Sequence, residues 1–242
     1  MKRPSVPIPS VAGRMAAELT VIVAGVLIAL GAQSWWETRG ENEDRLAAVA
    51  AIRDDLVTVD ANQSTAMARI DTMRVDIHWI LNRTFESTNP SDSVFNGSVQ
   101  NALWEISSTR TQFPAYEELK GSGRLGLLPP AFRSTLLELE AMSVLLERTN
   151  EDNFQYQIRN LDPWLLDKVS LRSMLQCDRE QGQEAPESIE GISAELLRSR
   201  RVENMLLAKL ELLTNLHGRS GDGREIVSRL IAAADSLLSE SR

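Results

Sequence analysis

VAAIRDDLVTVDANQSTAMARIDTMRVDIHWI, residues 49–80, is the stretch on which the fold turns. Its apolar side chains fall at Val49, Ile52, Leu56, Val59, Ala66, Ile70, Met73, Ile77 and Ile80, with Gln63 the single polar residue in the register. Spacings that alternate three and four over this length predict a long helix burying a narrow seam in coiled-coil-like packing. The helix is expected from about residue 42 to residue 85, well beyond the usual globular length. STNPSDSVFNGS, residues 87–98, is rich in turn formers and is expected to end it.

Upstream lies ELTVIVAGVLIALGAQSWWETRG, residues 18–40. Its uninterrupted apolar part, Leu19 to Ala32, has 14 residues, a length that suits a signal-peptide core as well as a membrane span. Extended from Met15 to Trp36 it becomes 22 residues, roughly 33 Å of helix and enough to cross a bilayer. Glu18 then sits near one end, where a charge costs far less than at mid-membrane. Trp35 and Trp36 fall at the opposite boundary, as interface anchors. Lys2, Arg3 and Arg14 precede the span, while Glu37, Glu41, Glu43 and Asp44 outnumber Arg39 and Arg45 after it. The positive-inside rule therefore predicts a cytoplasmic tail at 1–14, a plasma (inner) membrane span at 15–36 and an extracytoplasmic domain at 37–242. The alternative is a cleavable signal ending at Ala29-Leu30-Gly31, although paired tryptophans directly after the core are poor flanks for one. Export has the same direction in both cases.

These residues carry a resemblance. AELTVIVAGVLIALGAQSWWE is similar to the N-terminal segment of a bacterial family of uncharacterised single-span proteins, domain of unknown function 6090. Glu18, Gly25, Leu27-Ile28-Ala29-Leu30, Trp35 and Glu37 occupy places matching that family's pattern, whereas Gly31, Gln33, Ser34 and Trp36 depart from it. YEELKGSGRLGLL, residues 116–128, resembles the family's mid-chain Tyr/Glu/Leu and Ser-Gly block. The resemblance implies a membrane-tethered helical protein and supplies no activity.

The remainder reads as helices joined by short breaks. A short helix is expected at 99–107 with Trp104 on its buried side. Another starts at Pro114 and is closed by Gly121 and Gly123. A second long helix opens at LLPPAF, with Phe132, Leu136, Leu139, Met142, Leu145 and Leu146 facing inward, and reaches about Asn160. Asp162 is expected to cap a new helix with Pro163 at its first position. Residues 180–191 are polar and acidic and read as a surface loop. In the last third, Val202, Leu206, Leu213, Leu216, Val227, Leu230, Ala234 and Leu237 hold one phase. Leu216 and Leu230 are two heptads apart, so a kinked but collinear helix is expected across Gly218, Gly221 and Gly223. The fold class is therefore all-α, a span followed by an elongated antiparallel bundle without sheet.

The composition excludes several classes of function. A net charge of −8 lacks the basic stripe expected of a nucleic-acid binder. A single cysteine, Cys177, leaves room only for an intermolecular disulfide, and with His78 and His217 it makes no Cys/His metal framework. GSGRLG, residues 121–126, matches G-x-G-x-x-G literally. It follows a helix and precedes LLPP, so it reads as a helix C-cap rather than a dinucleotide loop. RSRR, residues 198–201, reads as a solvated face paired with Glu195 and Glu203. No nucleophile, acid pair or cofactor loop survives inspection, and neither an enzyme nor a cofactor is expected.

Glu18, Gly25, Ala29 and Ala32 share one face of the span, where small residues allow a second span to approach. The opposing account is that Glu18 snorkels to the headgroups and the small residues are incidental. The knee at 113–133 is the candidate partner surface, with Tyr116, Arg124 and Arg133 facing outward; packing between the long helices is the plain alternative. The expected function is a membrane-anchored extracytoplasmic interaction or scaffold protein, with the bilayer and a second copy or another envelope protein as partners. The alternative is a ligand-sensing bundle working through a separate signalling protein.

Overall fold

The computed structural model describes residues 11–83, 93–109, 111–169, 194–197 and 199–240. Helix α1, Val11–Arg83, is one unbroken helix of 73 residues, about 110 Å long. The apolar N-terminal segment and the seam helix, expected as two elements, are thus fused. Pairs four residues apart bridge the junction, with Gln33 Nε2 donating to Glu37 Oε1 at 2.9 Å and Arg39 Nε to Glu43 Oε1 at 3.0 Å. Residues 19–45 are exposed, and burial begins in earnest at Val49. From there the seam matches expectation. Val49, Ile52, Leu56, Val59, Ile70, Met73, Ile77 and Ile80 are buried, Ala66 is half-buried, and Gln63 is wholly buried.

The other helices are α2 (Ser93–Leu103), α3 (Pro114–Gly121), α4 (Pro130–Tyr156), α5 (Asp162–Lys168), α6 (Ala194–Leu197) and α7 (Arg200–Ser239). Among the described residues there is no strand. α7 runs antiparallel to α1, as three cross-helix contacts fix: Arg53 Nε to Asp235 at 2.6 Å, Arg224 Nε to Asp60 at 2.8 Å, and His217 Nε2 to Asp71 at 3.3 Å. It runs antiparallel to α4 as well, through Arg229 to Glu138 at 2.9 Å and Arg219 Nη1 to Thr149 Oγ1 at 2.5 Å. α1 and α4 therefore point the same way, with α7 packed on both.

Two apolar clusters form. One joins Val49–Val59 of α1 with Phe132–Leu139 of α4 and Ile226–Ala234 of α7. The other joins Ile70–Ile80 with Leu146, α5 and Val202–Leu216. Each buried Ile or Leu contributes about 1.5–3 kcal/mol, so these clusters carry the fold.

Several boundaries differ from the sequence-based expectation. α2 starts at Ser93, inside the expected turn, and stops at Leu103; residues 84–92 lie outside the described residues. Its seam is Val99, Ala102 and Leu103, which leaves Trp104 beyond the helix and 39% exposed. On α4, Leu145 is 42% exposed, because Leu146 occupies the inward position and its neighbour is rotated away. Asp162 caps no helix start. The chain runs from α4 through a π turn, Gln157–Leu161, straight into α5, and Asp162 Oδ1 instead accepts from Gln157 Nε2 at 2.8 Å. α7 is continuous across all three glycines, and Val202, Leu206, Leu213, Leu216, Val227, Leu230 and Ala234 are buried as expected. Gly121 and Gly123 do close α3, Gly123 in the left-handed region at φ 71°. Cys177 and residues 180–191 lie outside the described residues.

Candidate functional site

After a turn at Trp104, whose N–H still bonds to the Gln100 carbonyl, the described residues before Pro114 belong to neither helix nor strand. Ser107, Thr109 and Phe113 are buried while Ile106, Ser108 and Gln112 are exposed, the period-two alternation of a strand. Such a connecting segment among helices has no ladder to join, so its buried peptide groups need side-chain partners. α4 supplies them. Gln157 Nε2 donates to the Leu103 carbonyl at 2.8 Å, Asn153 Nδ2 to that of Ser107 at 3.4 Å, and Asn150 Nδ2 to that of Thr109 at 2.6 Å. Asn150 Oδ1 also accepts from the Thr109 N–H at 3.1 Å. The remaining carbonyl of the alternating set, Glu105, accepts from Lys209 Nζ of α7 at 2.9 Å.

Sequence reasoning missed this polar stripe, although a signal existed. Asn150, Asn153 and Gln157 continue the register of Leu136, Leu139 and Leu146 at positions where a bundle helix would carry leucines. Lys209 likewise sits in the apolar phase of α7. It is 1% exposed, and its second acceptor is Gln157 Oε1 at 3.1 Å. Burial pushes its ammonium down to about 7, against the opposing pull of Asp162 and Glu105. Two acceptors match the two N–H bonds of a neutral amine.

The connecting segment and the outward face of α4 border an open groove of about 1100 Å³. Four carboxylates line it, those of Glu117, Glu140, Glu147 and Glu151, and no Lys or Arg is among its described lining residues. Glu140 is engaged at the groove edge, accepting from Tyr116 Oη at 2.7 Å and pairing with Lys120. Lys120, then the tyrosine, holds that carboxyl below its ordinary range. Glu117, Glu147 and Glu151 are exposed.

The residues singled out from sequence fall in different places. Tyr116 does not face outward; it is 2% exposed, because α3 packs that side against the α1 seam, and burial together with Glu140 raises its phenol. Asp55 of α1 reinforces this docking by accepting from the Ala115 N–H at 2.8 Å, in the first turn of a helix without its own side-chain cap. Arg124 is exposed but tied to Asp44 of α1 at 2.6 Å. Asp44 lies eight residues past Trp36, about 12 Å along the helix, so the knee sits at the end of the bundle nearest the apolar segment. Arg133 is half-buried. The knee is therefore pinned to α1, its first residues, Phe113 to Glu117, contribute to the groove's lining, and the groove continues along α4.

In the apolar segment, Gly25, Ala29 and Ala32 are exposed, and a Cβ built on Gly25 would meet nothing within 4 Å. The side chain of Glu18 lies outside the described residues. Trp35 and Trp36 stand edge to face with centroids 5.2 Å apart, and the Arg39 guanidinium lies 5.7 Å over Trp35. This is one helix long and apolar enough to cross a membrane, with a window of mean hydropathy 1.7 and none of that window buried. His217 pairs with Asp71, while His78 is exposed.

No family model, curated protein or solved structure matches this chain.

Proposed function

We propose that this protein is a membrane-anchored interaction protein whose helical domain is held outside the plasma (inner) membrane, with residues 1–14 in the cytoplasm. The observation that carries the proposal is the complete exposure of the apolar helix at residues 19–36, continuous with the buried seam of α1. Apolar surface on this scale needs cover, and its length and its tryptophan boundary fit a bilayer. Coiled-coil-like packing along α1 and α7 belongs to the same reading. So does self-association of spans through Glu18, Gly25, Ala29 and Ala32, as does the likeness to domain of unknown function 6090.

Crosslinking in intact bacterial cells, with mass and N-terminal analysis of the captured protein, tests the proposal. An intact N-terminus in the alkali-resistant membrane fraction, together with adducts at multiples of the chain mass or to one envelope protein, is the expected result. A chain starting near residue 32 in the soluble fraction, or no adduct at all, overturns it.

A second reading is a ligand-sensing bundle acting through a separate signalling protein. The open groove on α4 favours it, and a small molecule retained by the purified protein would replace the first reading with this one.

A further inference from the structure

Along the outward face of α4, Val144, Glu147, Glu151 and Phe154 follow at intervals of three, four and three, one helix stripe about 15 Å long. Val144 is 47% and Phe154 43% exposed, and Ile106 on the facing wall is 39% exposed. These exposed apolar groups flank the exposed carboxylates of Glu147 and Glu151, neither of which forms an ion pair among the described residues, and Glu151 Oε1 accepts from Gln155 Nε2 at 2.7 Å. A segment that brings large apolar side chains and positive charge together complements both kinds of group.

We propose that this groove docks a cationic, amphipathic segment of a partner protein, its Lys or Arg side chains against Glu147 and Glu151 and its apolar side chains against Ile106, Val144 and Phe154. The proposal rests on the interaction reading above and names the chemistry of the partner. Charge complementarity selects this occupant: every charged residue among the described residues that line the groove is acidic, and a cleft of one sign draws the opposite charge and excludes its own. The walls are fixed in advance. One is α4 itself, and the other is the connecting segment held by Asn150, Asn153 and Lys209, so little ordering cost remains at docking. An amphipathic helix laid in such a groove meets it with anchors three, four and seven residues apart, the intervals that α4 presents.

The test is site-specific photocrosslinking with the full-length chain in native membranes. A benzophenone amino acid replaces Val144 or Phe154, with Leu207 on α7, 46% exposed, as the control site. The crosslinked segment is then sequenced. The expected result is adduct formation at 144 and 154 to a segment of net positive charge with apolar residues at helical spacing. The adduct should fall at least tenfold in the double variant Glu147→Lys/Glu151→Lys and less than twofold in Glu203→Lys/Glu211→Lys. Adducts to lipid, to a second copy of this chain or to a neutral or acidic segment overturn the proposal, as do adducts indifferent to the Glu147/Glu151 reversal. Protein adducts at Leu207 with a silent groove remove the groove but leave the interaction reading standing. Silence at all three sites removes both.

Discussion

Asn150 holds the peptide of Thr109 from both sides, donating to its carbonyl at 2.6 Å and accepting from its N–H at 3.1 Å. The side-chain amide of one helix residue thus does what a neighbouring strand would do. Thr109 is 3% exposed, so water does not replace what Asn150 supplies. Leaving a buried donor or acceptor unsatisfied costs about 1–3 kcal/mol. Asn150→Leu is expected to lower the unfolding free energy by about 2–5 kcal/mol. Urea unfolding of the full-length protein in detergent, followed by circular dichroism, checks this; a loss below about 1 kcal/mol would show that the connecting segment is held by other contacts.

Lys209 predicts a pH dependence of stability. In the unfolded chain its amine titrates at the ordinary 10.5, and in the folded chain at about 7. Between these values the unfolded state binds a proton that the native state does not, so stability rises with pH from about 7 to about 10. Below 7 both states are protonated and the cost of the buried charge is fully present. Lys209→Met should flatten the rise. A slope of equal size in the variant would assign the effect to other groups.

Gln63 predicts a gain. It is 0% exposed, and neither amide atom has a hydrogen-bond partner among the described residues. Its Nε2 lies 3.8 Å from the position of a Cβ on Gly223. Gln63→Leu, nearly equal in volume, is expected to raise the unfolding free energy by about 1–3 kcal/mol. A destabilised variant in thermal unfolding would mean that the amide is satisfied in solution. Polar residues in such seams also fix helix register, so the same variant should populate more than one oligomeric species in native mass spectrometry.

Gly218 and Gly221 interrupt nothing in α7, and a Cβ at either would meet no atom within 4 Å. Alanine is favoured over glycine inside a helix by about 0.5–1 kcal/mol. Gly218→Ala and Gly221→Ala should each raise the melting temperature, and additively. A lowered melting temperature for either would point to a bend in α7 that only glycine tolerates.

The sequence by itself determined the helical class, the long seam on α1 and the apolar face of α7, because helical periodicity is written residue by residue in side-chain polarity. Val49 through Ile80 and Val202 through Ala234 were legible for that reason. The exposed apolar segment with its tryptophans was legible too, since length and composition suffice. Only the tertiary structure decided where the polar exceptions go. Asn150, Asn153, Gln157 and Lys209 look like defects in apolar stripes until a connecting segment from elsewhere in the chain brings its carbonyls to them. The inward turn of Tyr116 and the pinning of Arg124 to Asp44 likewise depend on contacts between residues distant in sequence. Periodicity reports which face of an element is buried. It carries no information about which distant peptide group or charge will meet that face, and here that pairing shapes the groove.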